Sequence, residues 1–224
     1  MAVVWVSAMQ APRAEAQTPP AVVTTVPATT QAADPSTPRG ALHALARALD
    51  AGDRQIILEL LWSDSDAQRR WASATADLAE ATAALRRSAM QGFGAEASRP
   101  LGVDLAATPE AVARIEAAEV AITGDRAIVR TAGEEGPPLV LARRDGTWRV
   151  PVAEFLKDVE SPDLERAVTL LSEETRLLRE LADEVAAGKY KTATDARQAL
   201  DQRILQSAQP QLQPVAPAAG TTRP

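Results

Sequence analysis

The chain has no cysteine, a single histidine, a single tyrosine and no apolar run long enough to cross a bilayer as a helix. Without thiols there are no disulfides, no thiol nucleophile and no Cys-ligated zinc or iron–sulfur site. His43 alone cannot build a multi-histidine metal centre. No motif asks for a cofactor. Aromatic residues are 3% of the chain, so alanine, leucine and valine must supply most of the core. Alanine and leucine are strong helix formers, and such a core is helix-rich. An excess of positive charge is also missing. The net charge is −6, the pI is about 5.0, and the acidity is spread along the chain. No basic stripe exists to neutralise phosphates, which excludes a nucleic-acid partner. No basic amphipathic helix reads as lipid-facing.

The two ends are the least globular parts. Residues 1–11 (MAVVWVSAMQA) are uncharged and largely apolar, and Ala14-Glu15-Ala16 has the small-x-small form of a signal cleavage site. The basic region that opens a signal peptide is absent before Val3. Residues 1–16 therefore read as a signal peptide with a misplaced start, and the protein as exported to the periplasm, envelope or exterior. A cytoplasmic chain with a chance apolar patch is the alternative. Residues 17–36 form a disordered linker rich in Pro, Thr and Ala, a candidate membrane-proximal tether without a transmembrane span. Residues 208–224 read as a disordered tail of the same kind.

Structure starts at Thr37-Pro38, a cap followed by proline at the first helical position. Leu42, Leu45 and Leu49 recur at helical spacing to Gly52. Asp53 caps a short second helix carrying Ile56, Ile57, Leu60 and Leu61, closed by Trp62. Asp64 or Ser65 caps a longer third helix with the stripe Trp71, Ala74, Leu78, Leu85, Ala89 and Phe93. A loop through Pro100 and a short helix from Thr108-Pro109 follow. The period then changes from helical to alternating. Strands are expected at Val120–Ile122, Arg126–Ala132 and Leu139–Arg143, then a fourth with Trp148, Val150 and Val152 on one face. Gly124-Asp125 and Asp145-Gly146 are the turns. Helices first and strands second make an α+β domain over 37–160. Ser161-Pro162-Asp163 then opens a helix with Leu164, Val168, Leu171, Thr175, Leu178, Ala182 and Val185 at heptad spacing. Thr192-x-x-Asp195 is a capping box for a last helix carrying Ala196, Leu200 and Ile204. Residues 161–207 read as a helical hairpin. Its two helices fold on each other or onto the domain, and an intermolecular coiled coil is the other use of the seam.

Two helices joined by ALDAGD, a long third helix and strands closing in RRDGTWRV (143–150) resemble the nuclear transport factor 2-like superfamily. AEVAITGDRAIVR at 118–130 matches the strand–turn–strand pair that precedes this closing motif. The resemblance covers about 38–155. It implies a cone-like domain whose curved antiparallel meander wraps the N-terminal helices, with a pocket at the wide end. It also implies frequent dimerisation through the sheet. The superfamily includes ketosteroid isomerase-like enzymes and many secreted proteins, so the fold alone does not assign a function. The isomerase branch implies a tyrosine and a protonated aspartate as oxyanion donors. The only tyrosine, Tyr190, lies at the bend of the hairpin, outside the cone.

The resemblance and the side-chain chemistry single out a tentative pocket of Arg130, His43, Trp71 and Trp148, with no catalytic, cofactor or metal residue assigned. Arg130 shares a strand face with Ile128; on a concave face it would bind a carboxylate or phosphate, and on a solvent face its guanidinium snorkels. His43, the only imidazole, is a conceivable general base but has Arg47, not a carboxylate, at i+4 to orient it. Trp62, Trp71, Phe93 and Trp148 are expected to close the core, and Glu134-Glu135 and Glu173-Glu174 to be solvated charges. The functional expectation is a non-enzymatic exported binding or interaction module, taking a small apolar ligand or a protein partner and able to form a homodimer. A small cofactor-free isomerase or lyase, and a structural oligomerisation protein, are the alternatives.

Overall fold

Local signals start most of the helices where the sequence puts them. The computed structural model describes residues 34–103, 107–131, 137–157 and 159–208. The segments expected at 1–16, 17–36 and 208–224, and the Glu134-Glu135 pair, lie outside these residues apart from 34–36 and Ala208. Helix α1 is Pro38–Ala51, with the Thr37 side chain accepting from the Gly40 N–H. Gly52 ends it at φ 68°, a left-handed conformation that glycine adopts without a Cβ clash. Asp53 caps α2, Arg54–Leu60, by accepting from the Ile56 N–H. Ser65 caps α3, Asp66–Phe93, by accepting from the Gln68 N–H. Thr108 caps α5, Pro109–Ala117.

Two local expectations are corrected. Trp62 does not close α2, because Leu61–Trp62 leave the helix as strand β1. The segment after Gly94 is not a loop. It holds a 3-10 turn at Ala95–Ala97 and a single helical turn, α4, at Ser98–Leu101, pinned by the fully buried Leu101.

The alternating residues form β2 (Glu119–Thr123), β3 (Arg126–Arg130), β4 (Leu139–Arg144) and β5 (Thr147–Pro151). They pair antiparallel in sequence, as expected for a meander. The sheet is nevertheless mixed, because β1 pairs parallel with β5 through Leu61–Val150 and Trp62–Pro151. The order is β1-β5-β4-β3-β2. Asp145 and Gly146 both have positive φ, 51° and 79°, the geometry of the tight hairpin turn between β4 and β5. Val152 falls past the end of β5, at the start of the short helix α6, Val152–Leu156.

One face of the sheet is the core face. Ala127, Val129, Leu141, Trp148 and Val150 pack there against Leu42, Leu45, Ile57, Leu60, Ala72, Ala76 and Ile115 of the helices. The large buried aliphatic side chains each contribute about 1.5–3 kcal/mol. Of the aromatic residues expected to close the core only Trp148 is fully buried; Trp62, Trp71 and Phe93 are half-buried.

Helix α7 is Ser161–Ala186 and α8 is Ala193–Ala208. The heptad seam of α7 lies along α3, so of the two expected placements, on the partner helix or onto the domain, α7 takes mainly the second, while α8 also packs on the C-terminal part of α7. Arg70 of α3 donates to Glu165, Arg179 of α7 donates to Glu80 at 2.9 Å, and Gly92 lies beside Val185. These contacts fall in the same order along both helices, so α3 and α7 run parallel. Ala81, Leu85 and Ala89 form a second core with Leu177, Leu178, Leu181, Ala182 and Val185. Helix α8 adds Ala193, Ala196 and Leu200 to it. The alanines of α3 present little bulk, which lets a second helix lie close along it. The capping box at α8 forms as expected. Thr192 N–H donates to Asp195 Oδ2 and Asp195 N–H donates to Thr192 Oγ1, both at 3.1 Å.

Candidate functional site

The four residues singled out from the sequence do not converge. Trp148 is 2% exposed on the core face of β5. Its backbone N–H donates to the Pro35 carbonyl at 2.8 Å, and the Arg143 guanidinium stands 5.6 Å from its ring centre. Trp71 is half-buried on α3, 6.0 Å from the Phe155 ring. His43, on α1, has a carboxylate partner that helical spacing could not reveal. Its Nε2 is 2.6 Å from Glu116 Oε1 on α5. Arg130 is exposed, on the face of the sheet away from the core. Of its two expected placements, the solvent face is the one observed.

That outer face has a definite composition, set by the register. Glu119, Ala121 and Thr123 of β2 stand opposite Arg130, Ile128 and Arg126 of β3. Ile128 and Arg126 face Val140 and Ala142 of β4, and Ala142 faces Arg149 of β5. Arg144 faces Thr147. Four arginines therefore frame a small apolar centre of Ala121, Ile128, Val140 and Ala142. Their present partners are weak. Arg126 donates to Glu154 Oε1 at 3.0 Å with its side chain 59% exposed. Arg149 reaches Asp145 only at 4.0 Å, and its Nε is buried with no partner among the described residues. Arg144 lies 4.3 Å over the Trp62 ring, a cation–π contact. Exposed pairs of this kind contribute about 0–1 kcal/mol and exchange partners readily. Planar guanidiniums present paired N–H donors that match carboxylates, so this face can recognise an acidic group.

The strongest ionic cluster lies elsewhere, at the turn between α7 and α8. Glu184 accepts from Lys189 Nζ at 2.6 Å, Tyr190 O–H at 2.5 Å and Arg203 Nη2 at 2.6 Å. Burial pushes the Glu184 carboxyl up, but the three donors outweigh it and hold the group down at about 2. Burial and the bond to Glu184 push the Tyr190 phenol up. A carboxylate kept ionised by three donors is a lock on the turn and a poor proton acceptor. Tyr190 thus sits at the bend as expected, in a role the sequence did not signal; Arg203, 19 residues from Glu184, carried no local clue. The Glu173-Glu174 pair also splits. The hydrogen bond from Arg176 holds Glu173 low, whereas burial raises Glu174. Glu174 is therefore not the solvated charge expected.

Among the described residues no group of His, Asp and Glu could hold a metal ion. No helix among them is long and apolar enough to cross a membrane. The chain matches no family model, no curated protein and no solved structure.

Proposed function

We propose that the protein is a non-enzymatic binding module that presents the outer face of its sheet to an acidic partner. The carrying observation is the placement of Arg126, Arg130, Arg144 and Arg149 on one largely exposed face of a chain whose net charge is −6. The core face supports this choice over a small apolar ligand, since Ala127, Leu141, Trp148 and Val150 are packed there against helices. The order of helices, meander and closing RRDGTWRV segment supports kinship with the nuclear transport factor 2-like superfamily. The apolar start and the absence of cysteine are compatible with export.

The test is fluorescence anisotropy of a labelled poly-glutamate peptide. The protein binds it, and binding weakens as salt screens the contacts. Replacing Arg130 and Arg144 with glutamate abolishes binding and leaves the circular dichroism spectrum unchanged. A wild-type protein that ignores the peptide at low salt overturns the proposal.

A further inference from the structure

The open edge of the sheet is a second surface, and its use does not depend on the acidic-partner reading. Strand β2 pairs with β3 on one side and with no described strand on the other. Its residues are exposed except for the half-buried Val120, and no charge interrupts Val120–Thr123. Ile122 opposes Ala127 and so points to the core side, yet it is 56% exposed because the helices do not reach this edge. An uncharged, open edge is a template for another strand.

The hydrogen-bond alternation fixes which groups are on offer. The β2–β3 turn has two residues, so its closing pair, Thr123 and Arg126, is hydrogen-bonded, as are Ala121–Ile128 and Glu119–Arg130. The same alternation places the Trp148 N–H outside the β4–β5 ladder, where it is found bonded to Pro35. It follows that Val120 and Ile122 direct their N–H and C=O groups outward from the edge.

We infer that β2 pairs antiparallel with β2 of a second copy, about a two-fold axis through Ala121. In that register Val120 faces the partner's Ile122, and each pair exchanges two backbone hydrogen bonds. The exposed Ile122 gains an apolar neighbour on the core side. On the outer side Glu119 faces the partner's Thr123, and the row reads Arg130, Glu119, the partner's Thr123, the partner's Arg126. Each Glu119 then lies between its own Arg130 and the uncharged Thr123 of the partner subunit, and no like charges face each other. The surface is complementary to itself, as a two-fold interface requires. The product is one continuous ten-stranded sheet with a doubled arginine face.

The cysteine-free chain makes the test direct. The full-length protein runs as a dimer in sedimentation velocity. Ile122→Pro removes an outward N–H without touching the β2–β3 ladder, and returns the protein to a monomer with an unchanged far-UV spectrum. Ala121→Cys places two thiols on the axis at a Cα separation of about 4.5 Å, within disulfide reach. Under mild oxidation it forms a covalent dimer rapidly, whereas Thr123→Cys, offset from its own copy, does not. A monomeric wild type, or a dimer in which the two cysteine variants crosslink equally or not at all, overturns the assignment. Neither outcome bears on the poly-glutamate test.

Discussion

Glu184 shows what a single side chain contributes when three donors converge on it. Its folded pKa of about 2 lies below the ordinary 4.5. The stabilisation is therefore complete above pH 4.5 and is lost as pH falls towards 2. With about a quarter of the side chain in solvent (26%), screening reduces the effect to about 2 kcal/mol. Glu184→Gln is expected to lose about that much stability at neutral pH in urea denaturation. The gap between wild type and variant should narrow as pH falls below 4.5 and close only at about pH 2 and below. A gap that stays constant between pH 4.5 and that point would show that the loss comes from packing at the turn, not from the carboxylate. The sequence located Tyr190 at the bend but not this bond network. Glu184 and Arg203 lie on different helices, and only the angle between the helices brings them together.

Elements were legible where their signal is local. The caps Thr37, Asp53, Ser65 and Thr108, the turn at Asp145-Gly146 and the box at Thr192 each depend on residues a few positions apart. The partner of the heptad seam was not legible. Heptad spacing defines a face of α7 and says nothing of what covers it, and the alanine stripe of α3 announces itself weakly. The same limit applied to Arg130, since alternation along β3 separates two faces without saying which one the helices cover. At the seam itself the two kinds of buried residue are expected to differ. Leu178→Ala opens a cavity between α7 and α3 and costs about 2–4 kcal/mol. Thr175→Val stays within about 1 kcal/mol of wild type, because Thr175 Oγ1 donates only to the Leu171 carbonyl of its own helix, at 2.8 Å. Chemical denaturation of both variants checks this. A Thr175→Val loss as large as that of Leu178→Ala would mean the hydroxyl is needed across the helix pair.

The whole molecule is held together by one helix used twice. Helix α3 has 28 residues, about 42 Å of rod at 1.5 Å per residue. Ala72 and Ala76 near its start belong to the core under the sheet, and Ala81, Leu85 and Ala89 farther along belong to the core with α7 and α8. A boundary at residue 160 therefore runs along a buried helix face and does not separate two self-sufficient units. The 37–160 region keeps all four meander strands and loses the cover over half of α3. Fragment 1–160 is expected to lose cooperative thermal unfolding and to bind a hydrophobic dye, while the full chain melts in a single transition monitored by both near- and far-UV circular dichroism. Adding residues 161–208 back as a separate chain should restore the sigmoidal melt, because the missing piece is a surface and not a covalent link. Two resolved transitions in the full chain, or a cooperative melt of 1–160 alone, would instead make the C-terminal helices an appendage, and the shared helix would lose its place as the element that couples the two cores.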